Sequence, residues 1–588
     1  MLEPDATALV AAVPRCVLAS KVFCMDMAWL SLPGFSPEFC LRNAVASGKR
    51  LRAMDLRRIE LALFALLIVA SGAGCKKSGP VAGAPSASSA GTVARIHWLG
   101  KKQLAAGTNA AALLDIWNLP ESAKLEAQTL DKFSLAPWRL LRGALLRPLL
   151  DDAVQEECYV EVHIATNQPG ELAFAIRLSD ERARLWETNL AAALESLTGI
   201  RPSPAAESKS LNLRQGWSLQ KHQAPNLIEL VRVGEWTLVG AAQDTNATLG
   251  DLLACLQRDR TPVASPATNS WLEADLDLRW LASALSIAWS PPEGWPTMSV
   301  AVTGDGQSIR TSGKLNFPRP LALELEPWNI PTNLVREPLI GFTAIRGVRP
   351  WLAPLKTWSD LQLSAPPNQF YFWALQGIPF QTYFAAPRPD ASNQVSRLSD
   401  FLMLKGNPWL ATNGTGNFAR SAGSDGVTLT GLPFMALSFQ SVASDGGAFI
   451  FGGLFPSPGT NQPPPAALLV TVSSWTNLVF YDWEITQPRV TAWISILQIL
   501  RLVSHKAQLP PDSAGMAWLT AAAPRLGNCV TVVTKTGPGQ LSFLRQSGAG
   551  LTALELHLLA DWLESPQFPR GLHTFLVPSD MPPLGDGP

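Results

Sequence analysis

The sequence carries little charge. Only 16% of its 588 residues are Asp, Glu, Lys or Arg, against about 25% in ordinary soluble domains. Basic and acidic residues number 47 each, so the net charge is zero. There is no basic stripe with interleaved aromatic residues, and we therefore expect no nucleic-acid partner. So little charge fits a protein that is tethered to a surface or packed on a partner.

Motifs for catalysis, metals and cofactors are also missing. The sequence has no C-x-x-C pair, no G-x-x-x-x-G-K-[ST] loop, no H-E-x-x-H and no G-x-S-x-G. Residues 414–419 match G-x-G-x-x-A, but loop-like sequence flanks them, whereas a dinucleotide site needs a strand before and a helix after. We expect no catalytic residue, no metal site and no cofactor.

Cysteines are few and widely spaced. Of the seven, Cys158, Cys255 and Cys529 fall in the main body of the chain. An oxidising compartment would permit one disulfide among these three, and the spacing leaves its pairing open. Buried free thiols are the alternative interpretation.

The clearest positive signal is near the N-terminus. Residues 61–74 read LALFALLIVASGAG, and Arg57 and Arg58 precede them. A basic segment, an apolar run and small residues are typical of a secretory signal peptide. The apolar run has 14 residues, fewer than the ~20 that a membrane-spanning helix needs. We assign residues 54–74 to a signal peptide.

The end of this run, Gly72-Ala73-Gly74-Cys75, resembles the lipobox of bacterial lipoproteins. The resemblance implies cleavage before Cys75 and acylation of its sulfur, so Cys75 is the predicted lipidation site. Gly72 departs from the family, which usually has Leu there, so ordinary cleavage after Ser71-Gly72-Ala73 is an alternative. A twin-arginine signal at Arg57-Arg58 is another, although the residues that follow fit that motif poorly.

Residues 75–94 contain the lipidated cysteine and a linker rich in Gly, Ser, Ala and Pro, which predicts a flexible tether. Lys76 is not the aspartate that retains lipoproteins of this class at the inner membrane, so the outer membrane is favoured, with the body facing the periplasm. Residues 1–53 precede the export signal. We interpret them as a non-native extension before a start at Met54, or as a cytoplasmic tail before an uncleaved anchor.

Beyond the tether, the sequence predicts an α+β fold. Alternating apolar residues predict strands at 159–165 and 172–178, and a hairpin at 227–240 that turns at Gly234. A helix should begin at Ser179 or Asp180 and end at Gly199, and another should be capped by Asn246. A third should run from Pro488 to about Ser504 and be deeply buried.

Two pairs of segments suggest an internal duplication. The segment NSWLEADLDLRWL (269–281) resembles NLVFYDWEITQPRVTAW (477–493), and residues 298–317 resemble 530–557. We predict two repeated antiparallel-sheet-plus-helix units at 95–320 and 321–588.

Residues 446–481 carry no charge, and we interpret them as two buried strands joined by a loop. An exposed apolar patch is the alternative.

Candidate chemistry is limited to scattered polar groups. Glu273, Asp275 and Asp277 alternate with apolar residues, which places them on one strand face, and we expect that face to be in solvent, as for Asp482 and Glu484. His557 and Asp561 would form a surface pair on a helix. The chain has 21 Trp and 4 Tyr, and we expect clusters such as 370–373 to be core, a glycan or peptide groove being the alternative.

As a whole the body is similar to uncharacterised exported lipoproteins with stretches like those at 325–339 and 559–569, a resemblance that implies no activity. The sequence predicts a lipid-anchored cell-envelope protein, a non-catalytic binding or assembly component. Its partners would be the membrane, through the lipid, and another envelope protein. An envelope hydrolase, with Glu273 or His557 in one cleft, and an uncleaved single-pass anchored protein are the alternatives.

Overall fold

The computed structural model of the chain describes residues 91–568, apart from 136–142, 165–169, 205–215, 221–226, 244, 263–269, 285–290, 292, 354–364, 377–380, 413–415, 422–424, 432–436, 445–446, 455–461, 504–512 and 566–567. The predicted signal peptide, Cys75 and residues 1–53 therefore lie outside the described residues. The described part is α+β, as the sequence predicts.

Within the described residues, twenty strands pair into one antiparallel sheet. Strand β1 begins at Gly91, inside the predicted tether. The strands are β1 (Gly91–Trp98), β2 (Cys158–Ile164), β3 (Glu171–Arg177), β4 (Ser203–Pro204), β5 (Gly216–Gln220), β6 (Leu227–Val233), β7 (Trp236–Ala242), β8 (Leu272–Asp277), β9 (Thr297–Gly304), β10 (Ile309–Asn316), β11 (Leu339–Arg346), β12 (Gln369–Leu375), β13 (Thr382–Pro387), β14 (Asn417–Arg420), β15 (Val427–Thr430), β16 (Leu437–Ser444), β17 (Gly447–Leu454), β18 (Leu478–Ile485), β19 (Asn528–Gly537) and β20 (Gln540–Ser547).

The order of the strands in space repeats. From one edge to the centre it is β4-β5-β6-β7-β3-β2-β1-β8-β9-β10. From the other edge it is β14-β15-β16-β17-β13-β12-β11-β18-β19-β20. The two series have the same order, and they join where β10 pairs with β20. The described residues thus contain two repeats of one strand order, which share a single sheet and meet at this seam.

The helices lie in the connections between strands. They are α1 (Lys101–Ala106), α2 (Ala111–Trp117), α3 (Pro120–Leu135), α4 (Arg147–Gln155), α5 (Asp180–Thr198), α6 (Ala247–Asp259), α7 (Leu278–Ala284), α8 (Arg349–Leu352), α9 (Ala391–Phe401), α10 (Asn407–Thr412), α11 (Ala466–Ser474), α12 (Thr486–Val503), α13 (Ala514–Ala522) and α14 (Ala553–Glu564). A π-helical turn, Leu402–Gly406, joins α9 to α10.

Capping residues set the helix boundaries where the sequence predicts them. The Ser179 side chain accepts a hydrogen bond from the Arg182 amide at the start of α5, which ends at Gly199 in the left-handed conformation. Asn246 caps α6 through the Leu249 amide. The Thr552 hydroxyl and the Glu555 carboxylate form a reciprocal capping box on α14. The predictions at Ser179, Gly199 and Asn246 succeed because a cap depends only on neighbouring residues, whereas the capping box at Thr552 was not predicted.

The sheet has two faces, which we call front and back. The front face carries Leu272, Val300 and Phe543. Side chains alternate along each strand, so the residues immediately before and after these three point to the back face. In the first unit, α3, α4 and α5 pack on the front face, and α6 packs on the back. In the second unit α11 packs on the back.

The two units also share a helical core. Ile116 and Leu119, at the end of α2, pack with buried residues of α12, α13 and α14. Of the residues described in α12, Val490, Trp493 and Ile496 are buried, whereas Thr491 is exposed. Helix α12 therefore lies at the predicted place, with one face in the core.

One element differs from its predicted type. Residues 466–474 form helix α11, not the second buried strand that the β-branched sequence LLVTV indicates. Pro465 precedes the helix, where its fixed backbone angle is tolerated, and Leu469 and Val472 are three residues apart and both buried. The outer side of the helix is uncharged, and Val470 is 65% exposed. Tertiary packing thus overrides strand propensity here.

Candidate functional site

The principal candidate site is a cavity of about 500 Å³ on the front face, at the seam between the two units. Strands β8, β9 and β10 of the first unit and β18, β19 and β20 of the second form its floor, and α2 and the turn before α14 contribute to its walls. The cavity is lined by Trp98, Leu113, Trp117, Trp271, Leu272, Met298, Val300, Val302, Ile309, Thr311, Phe480, Thr531, Val533, Phe543, Arg545, Ala549, Gly550 and Leu551. Most of these side chains are apolar, so the cavity suits an apolar ligand.

Three tryptophans form part of this lining. The rings of Trp98 and Trp117 have centroids 6.0 Å apart and are tilted by 31°. The Trp98 indole N–H donates to the Val154 carbonyl at 3.1 Å, and that of Trp117 donates to the Glu126 carboxylate at 2.6 Å. Both rings are therefore held in place by their own hydrogen bonds.

The third ring, Trp271, is 2% exposed. It packs over Gly304, where a Cβ atom would stand 2.1 Å from the ring, so only glycine leaves room for it. Its indole nitrogen is buried and has no hydrogen-bond acceptor among the described residues. Such a buried donor is uncommon in native proteins.

Arg545 is the one charged side chain among the described residues that line the cavity. Its guanidinium donates to both carboxylate oxygens of Glu555, at 2.6 and 2.9 Å, to Thr531 Oγ1 at 2.9 Å and to the Gly550 carbonyl at 3.1 Å. Burial alone would lower the pKa of Arg545, but the charge of Glu555 outweighs it and raises the pKa. Arg545 is thus a neutralised structural pair with Glu555.

The acidic row in the first unit does not face the cavity. Glu273, Asp275 and Asp277 lie on the back face of β8, and Leu272 points to the cavity. Asp275 is exposed and the other two are half-buried, in broad agreement with the predicted solvent face. Asp277 accepts a hydrogen bond from the Arg279 amide at 2.8 Å, at the start of α7.

The prediction for Asp482 and Glu484 is wrong. Both are 0% exposed, and they lie on the front face together with Phe480. Asp482 accepts a hydrogen bond from Thr343 Oγ1 at 2.7 Å, and Glu484 accepts one from the Ala553 amide at 2.6 Å. Ala553 begins α14, so the helix N-terminus favours the Glu484 carboxylate.

The prediction for His557 is also wrong. This residue is 2% exposed, not on the surface, and its Nε2 lies 3.1 Å from the Val490 carbonyl oxygen. It therefore joins α14 to α12. His557 is on a front-face helix and Glu273 on the back face, so the structure does not bring them into one cleft.

A polar network lies on the back face of β1 and β2. Arg95, Tyr159 and His163 all contact the Glu161 carboxylate, at 2.8, 2.6 and 3.0 Å. Burial would raise the pKa of Glu161, but the hydrogen bonds from Arg95, Tyr159 and His163 outweigh it and lower the pKa to about 2. The carboxylate is a fully engaged anion, a poor general acid or base at neutral pH.

We expect Glu161→Gln to lower the free energy of unfolding by ~2 kcal/mol at pH 7. The pKa shift corresponds to ~3 kcal/mol, reduced here because Arg95 is exposed and screened. A depressed pKa stabilises the fold above the unfolded value near 4.5, and this stabilisation disappears as pH falls towards 2. Denaturant unfolding of variant and wild type from pH 7 to pH 2 should therefore converge. Asp275→Asn, on the same face but exposed, should differ by less than ~0.5 kcal/mol at every pH.

The three cysteines of the body are free thiols. Burial, with a smaller contribution from Glu157, raises the pKa of Cys158 to about 12. Burial also raises the pKa of Cys529. Both are therefore protonated at neutral pH, unlike the thiolate that a nucleophilic cysteine requires.

The described residues contain no group of three or more His, Cys, Asp or Glu side chains placed to hold a metal ion. In the same part of the chain, no helix combines the length and the apolar character that crossing a bilayer requires. The aromatic residues Phe370, Tyr371, Trp373 and Tyr383 are buried, in agreement with the core interpretation.

Sequence reasoning missed the cavity, although the abundance of tryptophan was a signal for aromatic sites in general.

Comparison of the chain with protein-family models, with curated proteins and with solved structures finds no match.

Proposed function

We propose that this chain is a non-catalytic binding protein of the cell envelope, lipid-anchored at Cys75, that holds an apolar ligand in the central cavity. The observation that carries the proposal is the cavity itself, about 500 Å³ in volume and lined mainly by aromatic and aliphatic side chains. This volume falls within the range of ~300–1,000 Å³ of small-molecule sites. Ligand binding there would be driven by removal of apolar surface from water.

The side chains that line the cavity support ligand binding rather than catalysis. Its one charged residue among those described, Arg545, is bonded to Glu555, Thr531 and Gly550. A hydrolase would bring a base, a nucleophile and an oxyanion donor to one point. The predicted candidates Glu273 and His557 lie elsewhere. A rigid sheet floor with apolar walls is the arrangement expected of a carrier or a sensor.

The envelope location rests on the sequence. The predicted signal peptide at 54–74, the lipobox-like sequence that ends at Cys75 and the predicted Gly- and Ser-rich tether favour a body held near a membrane, facing the periplasm. A membrane-held protein with an apolar cavity would meet apolar ligands where they are most concentrated.

Val300→Trp should weaken binding of the neutral fluorescent probe N-phenyl-1-naphthylamine at least tenfold. Val300 lies in the middle of β9, lines the cavity and pairs with Gly313 of β10, so an indole there would fill the space that the probe needs. The measurement is a fluorescence titration of purified protein.

Ser299→Trp provides the matched control. Ser299 is the preceding residue, exposed on the back face of the same strand, so this variant should bind the probe as the wild type does. Equal probe affinity in Val300→Trp and the wild type, with both folded by circular dichroism, would show that the cavity is not the binding site.

A further inference from the structure

The back face of the sheet is open to solvent at its centre. Helix α6 covers outer strands of the first unit, and α11 covers outer strands of the second. Between these helices lie β1, β8, β9, β10 and β20, and we call their back side the central back face. Its exposed side chains include Arg95, Asp275, Thr297, Ser299, Arg310, Lys314, Leu544 and Gln546.

Two stripes of opposite charge run along the central back face. The acidic stripe consists of Glu273, Asp275 and Asp277 on β8, and the basic stripe consists of Arg310 and Lys314 on β10. Strand β9 lies between these strands, so the two stripes are about 10 Å apart. The charges are therefore segregated by sign across β9.

Strand β9 carries only small residues on this face, namely Thr297, Ser299, Ala301 and Thr303. Asp275 and Lys314 are both register partners of Ser299, so they occupy one row on either side of β9. Both side chains are exposed, and neither forms an ion pair with another described residue. Each charge is thus available to a partner.

This charge pattern is complementary to itself. A second copy placed face to face by a twofold axis along β9 would set β8 of each copy against β10 of the other. Asp275 would then face Lys314 of the second copy, and symmetry would make this pair occur twice. A twofold axis across the strands would instead set each acidic stripe against itself, so electrostatic complementarity selects the first arrangement.

The extent of the central back face is compatible with a dimer. Its five strands span ~24 Å, and the 8 residues of β9 span ~27 Å. A dimer would therefore cover ~650 Å² of each copy, or ~1,300 Å² in total, close to the lower limit of stable interfaces. Leu544, which is 38% exposed on β20, adds apolar area. Because the net charge is zero, no overall repulsion opposes association.

We propose that the central back face binds a second copy of this chain, in a twofold symmetric dimer in which the acidic stripe of each copy contacts the basic stripe of the other. This inference goes beyond the proposed ligand binding and does not depend on it, because the cavity is on the front face. The two cavities would lie on opposite sides of the dimer.

Sedimentation velocity of the purified chain tests the proposal. The wild type should dimerise at ~1–100 μM, as expected of an interface near the lower size limit. Asp275→Lys alone and Lys314→Glu alone should each raise the dissociation constant at least tenfold, because each creates two like-charge contacts in the dimer. A one-to-one mixture of these variants should restore the wild-type value, because the lysine introduced in one faces the glutamate introduced in the other.

Glu195→Lys and Lys124→Glu are the matched controls. Both residues are exposed on front-face helices, α5 and α3, and their substitutions change the net charge by the same amounts as the test variants. Each control alone, and their mixture, should keep the wild-type dissociation constant.

A cross-link gives a readout that does not depend on charge. Ser299 lies on the proposed axis, so its two copies face each other, and a short bismaleimide should join Ser299→Cys into a covalent dimer. Gln546→Cys is the control, because Gln546 is exposed on β20 and its two copies would be about 20 Å apart. Its cross-linking should not exceed that of the wild type, whose own thiols set the background.

Three results would overturn the inference. The first is a wild type that stays monomeric over this range of concentration. The second is association that the charge reversals leave unchanged, or that the mixture does not restore when both variants are folded by circular dichroism. The third is a Ser299→Cys variant that cross-links no more than Gln546→Cys, which decides the point even if a charge-reversal variant does not fold. The proposed function is tested separately by probe binding.

Discussion

Replacing Arg545 with Met should lower the free energy of unfolding by about 3–5 kcal/mol. Arg545 is 8% exposed and binds Glu555 through two hydrogen bonds of 2.6 and 2.9 Å. Removing the guanidinium would leave the Glu555 carboxylate largely buried without its main counter-charge. It would also leave the Gly550 carbonyl without this donor. A buried charge without a partner is among the most destabilising defects in a protein.

The double variant Arg545→Met with Glu555→Gln tests this explanation. Glutamine at the third helical position can still accept the hydrogen bond from the Thr552 amide, so the capping box of α14 is retained. Without either charge, the cost should fall below ~2 kcal/mol. Denaturant unfolding with matched slopes measures both variants. A single variant that costs less than ~1 kcal/mol, or a double variant no more stable than the single, would contradict the assigned role of the pair.

Local signals in the sequence predict several elements of this fold. The caps at Ser179 and Asn246, the C-terminal Gly199 and the hairpin glycine Gly234 all occur where predicted. Each depends on a few neighbouring residues and on backbone angles that only certain residue types adopt. The repeat of strand order agrees with the two similar segment pairs seen in the sequence.

The faces of the strands could not be predicted in the same way. Matching the acidic rows to each other, Glu273 with Asp482, suggests that both face solvent, whereas alignment from Asn269 and Asn477 without a gap places Glu273 opposite Tyr481. In the structure Leu272 and Phe480 face the cavity, so Glu273 points to the back and Asp482 to the front. A shift of one residue moves every side chain of a strand to the other face. Which face of the sheet a side chain occupies therefore depends on how its strand pairs with strands distant in sequence.

The cavity was beyond sequence reasoning for a related reason. Its lining comes from Trp98, Trp271 and Phe480, together with residues near 545, and the chain brings them together only through pairing at the β10–β20 seam. No short motif marks such a site. The two units also depend on each other through their helices, because Ile116 of α2 packs with buried residues of α12 and α14. A ligand in the cavity would contact both units at once and would stabilise their association.

Cys75→Ser should move the protein from the membrane fraction to the soluble fraction. We propose that Cys75 carries the lipid, and each buried methylene of an acyl chain contributes ~0.8 kcal/mol to membrane binding. Loss of every chain would remove the anchor, while the body from Gly91 onward would be unchanged. Fractionation of cells expressing each form, followed by the intact mass of the N-terminal peptide, measures the effect. The wild type should show an acylated cysteine at the first position.

Cys255→Ser is the matched control, because it makes the same substitution at a half-buried thiol of the body. This variant should stay in the membrane fraction, and both variants should still bind N-phenyl-1-naphthylamine. An unmodified wild-type chain that retains residues from 1–53 would reject the lipoprotein assignment and support the uncleaved anchor with a cytoplasmic tail. Probe binding by the soluble Cys75→Ser protein would show that the cavity works without the lipid, so that anchoring determines where the protein acts and the seam determines what it binds.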